Sequence, residues 1–293
     1  MDQRLAELLR LLELERLELN LFRGESRDIG SPQVYGGQVL GQALKAAYGT
    51  VEAGRDVHSL HAYFLRRGDF NAPIIYFVDR SRDGHAISSR RVTAIQHGEQ
   101  IFNLSASFQA PESGLEHQQP MPDVPAPESL PEALPLSEAQ IERLSPRLRR
   151  FMQNRPIEFR TVSRALPGGQ PGAPRQQLWM RAVDRLPDDE QLHRCLLAYA
   201  SDFNLLGTAL ASHERELAAS KFLIASIDHT MWFHRSVRID DWLLYVTDSP
   251  SASGARGFTR GSLYARDGRL VASTAQEGLI RPLPPIDEQR SAP

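Results

Sequence analysis

Apolar and polar positions along this chain alternate between a helical period and a strand period, and the alternation is repeated. Near the N-terminus Leu8, Leu9, Leu11 and Leu12 are interleaved with Glu and Arg, the pattern of an amphipathic helix. Gly37 to Tyr48 reads as a second helix. Its Gly41 and alanines keep its surface small enough for a sheet to wrap it closely. Strand-like runs follow at Ile74–Val78, Arg90–Gln96 and Ile101–Phe108, with a His97-Gly98 turn between the last two. A further helix is expected over Asp189–Leu206, with Leu192, Cys195, Leu196 and Tyr199 on one face. Asp188, Asp189 and Glu190 favour its start through capping and dipole. Strand-like runs then return at Leu243–Val246, Phe258–Arg266 and Leu270–Ala275, with Asp267-Gly268 as a hairpin turn.

The two regions look alike. Tyr63-Phe64-Leu65-Arg66 is answered by Trp232-Phe233-His234-Arg235, and the strands recur at an offset of roughly 170 residues. The expectation is a duplicated α+β unit, one central helix followed by antiparallel strands in each copy. Such a unit leaves sheet edges exposed, and pairing two copies edge to edge removes them. Between the copies, Pro111, Pro120, Pro122, Pro125, Pro127, Pro131 and Pro135 mark an extended linker, because proline lacks the N–H that sheets and helix interiors need. A helix over residues 137–152, kinked at Pro146, is expected after it. The boundaries read from this pattern are 1–110, 111–154 and 155–286.

Composition narrows the classes. The 293 residues carry a net charge of −2, which gives no overall attraction to nucleic acid or anionic membrane. No apolar run approaches the roughly 20 residues needed to span a bilayer, so no membrane insertion is expected. The single cysteine, Cys195, suits a reducing compartment, and the N-terminus does not read as a signal peptide. A cytoplasmic protein is expected.

Several stretches carry a resemblance. They are Leu21-Phe22-Arg23-Gly24, Gln33-Val34-Tyr35-Gly36-Gly37-Gln38 and His58-Ser59-Leu60-His61-Ala62-Tyr63-Phe64-Leu65 in the first region. The second adds Tyr199-Ala200-Ser201-Asp202-Phe203-Asn204, Ile227-Asp228-His229-Thr230-Met231-Trp232-Phe233-His234, Ala255-Arg256-Gly257-Phe258 and Ser273-Thr274-Ala275-Gln276-Glu277-Gly278. Together they resemble the acyl-CoA thioesterase II family over nearly the whole chain. The resemblance implies a double hotdog, two antiparallel sheets each wrapped around a central helix. It implies an acyl-CoA substrate with medium to long chains, no cofactor and a homo-oligomer, dimer or tetramer. It also implies a site of an aspartate, a threonine and a glutamine. By motif these fall on Asp202, Ser226 and Gln276, with serine standing where the family has threonine. Gly36, Gly37 and Gln38 are the expected substrate-binding stretch.

That residue set suits hydrolysis by an activated water. An aspartate can take a proton from the attacking water, while a hydroxyl and an amide hold it in place. At the repeat offset Gln276 corresponds to Ala106 and Ser226 to Asp56, so one working site per chain is expected. Competing readings remain for single residues. Asp202 alone could be a solvated helix carboxylate. His58 with His61, and His229 with His234, lack a third ligand in any recognisable zinc motif, so no metal is expected. His229 is expected to hydrogen-bond within the core, and Cys195 to be a buried inert thiol. Arg90, Arg91, Arg256 and Arg260 read either as phosphate contacts or as ion-paired residues of a solvated sheet face. The alternatives for the whole chain are an acyl-thioester hydratase or dehydratase of the hotdog class and a non-catalytic acyl-CoA-binding protein.

Overall fold

The computed structural model describes residues 1–31, 33–131, 146, 149–150, 154–163, 175–213, 216–217 and 220–283. Most of the helix expected over 137–152 lies outside these residues. In chain order the elements are α1 (Gln3–Leu12), β1 (Glu15–Glu18), β2 (Leu21–Gly24), α2 (Gly36–Tyr48), β3 (Asp56–Phe64), β4 (Ile74–Asp83), β5 (Ile87–Gln96) and β6 (Glu99–Gln109). They continue with β7 (Ile157–Ser163), β8 (Arg175–Ala182), α3 (Glu190–Ser201), α4 (Leu205–Leu210), β9 (Phe222–Ser226), β10 (Asp228–Phe233), β11 (Leu243–Ser253), β12 (Arg256–Ala265) and β13 (Leu270–Pro282). The protein is α+β, with one large antiparallel sheet ordered β1-β2-β4-β5-β6-β3-β10-β13-β12-β11-β8-β7, and β9 beside β13.

Read inward from its two ends, this sheet is one strand order written twice: β1-β2-β4-β5-β6-β3 and β7-β8-β11-β12-β13-β10. The copies meet where β3 pairs antiparallel with β10, Tyr63 opposite Asp228 and Ser59 opposite Trp232. Each copy would expose this strand as an edge if it stood alone, and the pairing consumes both edges. The expected pair of sheets is therefore continuous through the junction.

Alternation along the strands buries Leu60, Ala62, Val92, Ala94, Leu104, Ala106 and Phe108 on one side. α2 packs on β4, β5 and β6 on that side and runs along α3. Gly41 serves a different neighbour from the one expected. A Cβ there would lie 3.2 Å from the Cys195 carbonyl and 3.1 Å from Leu12, so the small surface lets α3 and α1 come close, not the sheet.

The expected long helix over Asp189–Leu206 is interrupted. Asp189 caps α3 by accepting from the Leu192 N–H at 3.1 Å, as its sequence foretold. α3 stops at Ser201 because Asn204 adopts a left-handed backbone, φ 63°, and turns the chain into α4. The hairpin turns also differ from each other. Both His97 and Gly98 have positive φ, whereas at Asp267-Gly268 only the glycine does. The latter loop is thus a wider turn closed by a left-handed glycine, with Ala265 N–H donating to Arg269 O at 2.8 Å.

From Pro111 to Pro131 the proline-rich stretch carries no strand or α-helix, only a 3-10 turn at Pro127–Ser129, and it lies on the second copy. Met121, Val124 and Leu130 pack on Trp179, Trp242, Leu244 and Tyr264. The Trp179 indole donates to Pro125 O at 3.0 Å, and Gln118 bonds Gly268 and Leu270. The linker covers aromatic surface that would otherwise meet water. Among the described residues no helix is long and apolar enough to cross a membrane.

Arg90 is the largest fully buried side chain. Its guanidinium donates to Thr50 Oγ1 and Thr50 O, to Arg82 O and Ser89 O, and to Asp83 at 2.6 Å. Removing one partner of such a network strands buried acceptors. Arg90→Met is expected to destabilise the fold by about 3 kcal/mol. Urea unfolding of the variant beside the parent measures this, and an unchanged midpoint would show that the network contributes little.

Candidate active site

The sequence around Asp202 makes a helix end and a sharp exit. Tyr199 and Phe203 pack on Tyr35, the Phe203 ring stacking at 4.5 Å between centroids and the Tyr199 ring edge-on at 5.1 Å. Asp202 is the C-cap of α3. Just beyond it α4 lies on the sheet, in space left by two motif glycines. A Cβ on Gly257 would lie 2.7 Å from the Ala209 methyl, and one on Gly278 would lie 2.5 Å from Leu206.

Ser226 and Gln276 are brought to Asp202 by a change of partner along β13. This strand pairs with β10 through Ala275 and with β9 from Gly278 onwards, where Gly278 faces Ser226. Between them Ile227 forms the bend from β9 to β10. Its N–H donates to Glu277 O at 2.9 Å and its carbonyl accepts from Phe64 of the first copy at 2.9 Å. The Asp228 carboxylate accepts from Glu277 N–H at 2.7 Å, replacing the ladder bond that the bend removes.

The structure thus gathers the three residues that the motifs single out. The Gln276 amide nitrogen donates to Ser226 Oγ at 2.5 Å and to Asp202 Oδ1 at 3.3 Å. Gly36 and Gly37 join them from the first copy. The N–H of Gly37, in the first turn of α2, also bonds the Asp202 carboxylate. A Cβ on Gly36 would lie 2.7 Å from Asp202 Oδ2. Gln38 does not join: its side chain is buried, with its amide turned to Glu25 O at 3.2 Å and to Gln42. One residue further along α2 points a side chain about 100° away, so the Gln38 side chain leaves the cluster that the backbone at Gly36 and Gly37 borders.

Asp202 is surrounded by protein but keeps a part-exposed face on a narrow cavity of about 70 Å³. Val34, Val39, Phe64, Ile101 and Phe102 give this cavity an apolar wall, and Gly36, Ser226 and Arg66 add polar groups. Burial pushes the Asp202 carboxyl up to about 6, against the hydrogen bonds from Gln276 and Gly37 that favour its ionised form. Behind the cluster lies His229, which hydrogen-bonds within the core as expected, though its link to Gln276 was not read from the sequence. His229 is fully buried and links Gln276 Oε1 at 3.3 Å to Ser201 Oγ at 2.9 Å. Burial drives its pKa down to about 4, so it is neutral at physiological pH. The sequence signal for this was only a histidine on an inward strand position.

The other candidates are placed elsewhere. His58 bonds Ser107 at 2.8 Å, His234 bonds Ser273 at 2.9 Å, and His61 packs edge-on to Trp232. Among the described residues no group of three or more His, Cys, Asp or Glu is placed to hold a metal ion. The Cys195 thiol is pushed by burial up to about 12 and is inert. Arg90 is buried in its own network, while Arg256 pairs with Glu277 and Arg260 with Asp248.

Residues 147–279 match the family model for acyl-CoA thioesterase, and residues 23–109 match that for the acyl-CoA thioesterase N-terminal domain. The chain is 42% identical to acyl-CoA thioesterase 2 of Haemophilus influenzae over 96% of its own length and 99% of that protein. It is 41% identical to human acyl-coenzyme A thioesterase 8, covering 96% and 90% of the two chains. The crystal structure of an acyl-CoA thioesterase II from Mycobacterium marinum superposes with a TM-score of 0.80 at 43% identity, covering 94% of this chain and 98% of that one. The fold is that of the hotdog thioesterases. The chain belongs to the acyl-CoA thioesterase family.

The raised Asp202 pKa has a consequence for stability. The ionised form is disfavoured in the fold, so above about pH 6 folding carries the cost of a buried carboxylate. Below the ordinary value of 3.8 the group is protonated in both states and the cost vanishes. Asp202→Asn is expected to stabilise the protein by ~2 kcal/mol at pH 8, with the gain shrinking towards pH 4. Unfolding of parent and variant across that range tests it; a gain independent of pH would contradict the assigned shift.

Proposed function

We propose that Asp202 is the base of a thioester hydrolase in which Ser226 and Gln276 hold the attacking water. The protein is an acyl-CoA thioesterase, and the reading concerns how it works. The observation that carries it is the Gln276 amide, which grips Ser226 and Asp202 at once beside a cavity that the carboxylate partly faces. As the water oxygen forms its bond to the thioester carbon, Asp202 takes its proton. The C–S bond then breaks, and the proton passes from Asp202 to the thiolate leaving group. The products are the free acid and coenzyme A, with Asp202 ionised again. The α2 N-terminus points its positive end at the cluster, a placement that stabilises negative charge forming on the carbonyl oxygen.

The same reading extends to architecture and substrate. The two runs of like strand order, with α2 and α3 as their helices, support a double hotdog over 1–110 and 155–286 with 111–154 as the connection. The apolar wall of Val34, Val39, Phe64, Ile101 and Phe102 supports an acyl group entering there, and a medium to long chain is what the family resemblance implies. Exposed Tyr63, Phe77 and Trp232 on the sheet support a homo-oligomer, dimer or tetramer. A hydratase or dehydratase would need a histidine near the substrate β-carbon, and the cavity is lined by none among the described residues.

The first test is release of free thiol from a C4 to C16 panel of acyl-CoAs. Asp202→Asn is expected to lower kcat by on the order of 10²- to 10⁴-fold with the fold retained. Parental turnover in that variant would remove Asp202 from the mechanism. In the parent, kcat/KM should rise with pH through about 6 and then level, because the base works only when ionised. A flat profile from pH 5 to 8 would reject this base. Ser226→Thr, which supplies the family's residue, is expected to preserve or raise turnover. A collapse with unchanged fold would mean that the β-branch does not fit beside Gln276.

A further inference from the structure

We infer that His229, backed by Ser201, is a positioning residue that holds the Gln276 amide in the one orientation able to serve Asp202 and Ser226. The inference rests on the proposed roles of those residues and adds what keeps them in register.

The hydrogen-bond chemistry allows one direction through this chain. An ionised carboxylate only accepts, so Gln276 must present its NH2 group to Asp202. The amide's second hydrogen goes to Ser226 Oγ, and the amide oxygen is left facing His229 Nδ1. That nitrogen must then carry the proton of the neutral ring. Nε2 is left as an acceptor, and the Ser201 hydroxyl at 2.9 Å is its donor. The single Ser201 proton is shared, in a three-centre bond, with Ala198 O 3.0 Å away in the last turn of α3, which fixes where the hydroxyl sits. Ser201 immediately precedes Asp202, so the base and the far end of the relay share one helix end.

Without the His229 donor the amide oxygen loses its N–H partner, and only the Asp202 carboxylate is left to tell the two ends of the amide apart. Turned over, it would set its oxygen against the carboxylate at about the same 3.3 Å and leave Ser226 with no donor. Held as it is, it also fixes Ser226. That hydroxyl accepts from Gln276, so its own proton is free to point to the cavity, where water and the carbonyl oxygen meet it. The ring is fully buried and does not line the cavity, so it acts through Gln276.

The experiment is a double-mutant cycle on acyl-CoA hydrolysis, with kcat and KM measured separately and unfolding checked for each protein. His229→Leu removes the donor, and His229→Asn returns an N–H near the place of Nδ1. Gln276→Met removes the amide through which His229 is held to act. His229→Leu is expected to lower kcat by on the order of 10- to 100-fold with KM within about twofold. His229→Asn should recover most of that loss. In the Gln276→Met background His229→Leu should cost less than about twofold more, because the group it orients is already gone. Multiplying losses, or an asparagine variant as slow as the leucine one, would overturn the inference. Full turnover in His229→Leu would do the same. If His229→Leu does not fold, Ser201→Ala takes its place; it should slow kcat in the parent but not in Gln276→Met, and equal losses in both would count against the relay. Parental turnover in Asp202→Asn or Gln276→Met would instead be a failure of the underlying reading, and is thereby distinguished.

Discussion

The contact on which this architecture turns is the close antiparallel approach of α2 and α3. At Gly37 there is no room for a Cβ: it would run into the carbonyl of Tyr199 and the ring of Tyr35. At Gly41 the Cys195 carbonyl lies against the same helix. The first turn of α2 therefore meets the last turn of α3. Opposite ends of two helix dipoles are brought together there. The Tyr199 carbonyl, short of an intrahelical partner at a helix end, accepts from the Tyr35 hydroxyl at 3.1 Å. Were Gly37 larger, the helices would have to move apart, and its N–H would leave the Asp202 carboxylate. The β3–β10 junction fixes the same relation from the sheet side, where Phe64 N–H reaches Ile227 O beside Ser226.

A helix pair in a duplicated fold has two such ends, and they have diverged in charge. At one end stand Asp202, Gln276 and Ser226. At the other, by strand order, Ala106 replaces the glutamine on β6 and Arg90 stands across from it, where Thr259 stands across from Gln276. Arg90 satisfies its donors on Thr50, Arg82, Ser89 and Asp83. At that end the ionisable Asp83 is held in an ion pair beside an open pocket, whereas at the Asp202 end the carboxylate faces a narrow cavity. Asp56, opposite in the repeat to Ser226, is drawn to Arg194 instead. On the proposed mechanism, the duplication leaves one copy for the chemistry and the other for the walls and the helix N-terminus beside it.

Much of this was legible in the chain before any coordinates. Period-two runs and Gly-containing turns located β4 to β6 and β11 to β13, since both sheet copies bury one face and leave the other to solvent or linker. The recurrence at one offset foretold the repeated strand order. The motifs foretold that Asp202, Ser226 and Gln276 belong together, although they are far apart in sequence. What stayed hidden depends on contacts between elements. Periodicity carried α3 through Asp202 to Leu206, because the left-handed turn at Asn204 is a property of one residue held by its surroundings. Gly41 could not show whether a sheet or a helix comes close. Neither could the arginines show their partners, since Arg256 and Arg260 read alike as ligands for phosphate or as members of cross-strand pairs. Gln38 looked like its glycine neighbours only because a linear motif hides the turn of the helix.

The state of Asp202 is set by a balance that the surrounding residues make narrow. A fully solvated carboxylate is a weak base, because its ionised form is well hydrated. Burial among Tyr35, Tyr199 and Tyr245 makes it a stronger one, but carried too far it would leave the group protonated near neutrality. The Gly37 N–H and the Gln276 amide are the counterweights, and they come from different copies of the fold. With one more donor the carboxylate would fall back towards its ordinary range and lose affinity for a proton. With one fewer it would remain neutral and have no affinity to offer. A value near 6 lies between these failures, and the two donors can hold it there only while α2 stays pressed against α3 and the Gln276 amide keeps its NH2 group turned inward.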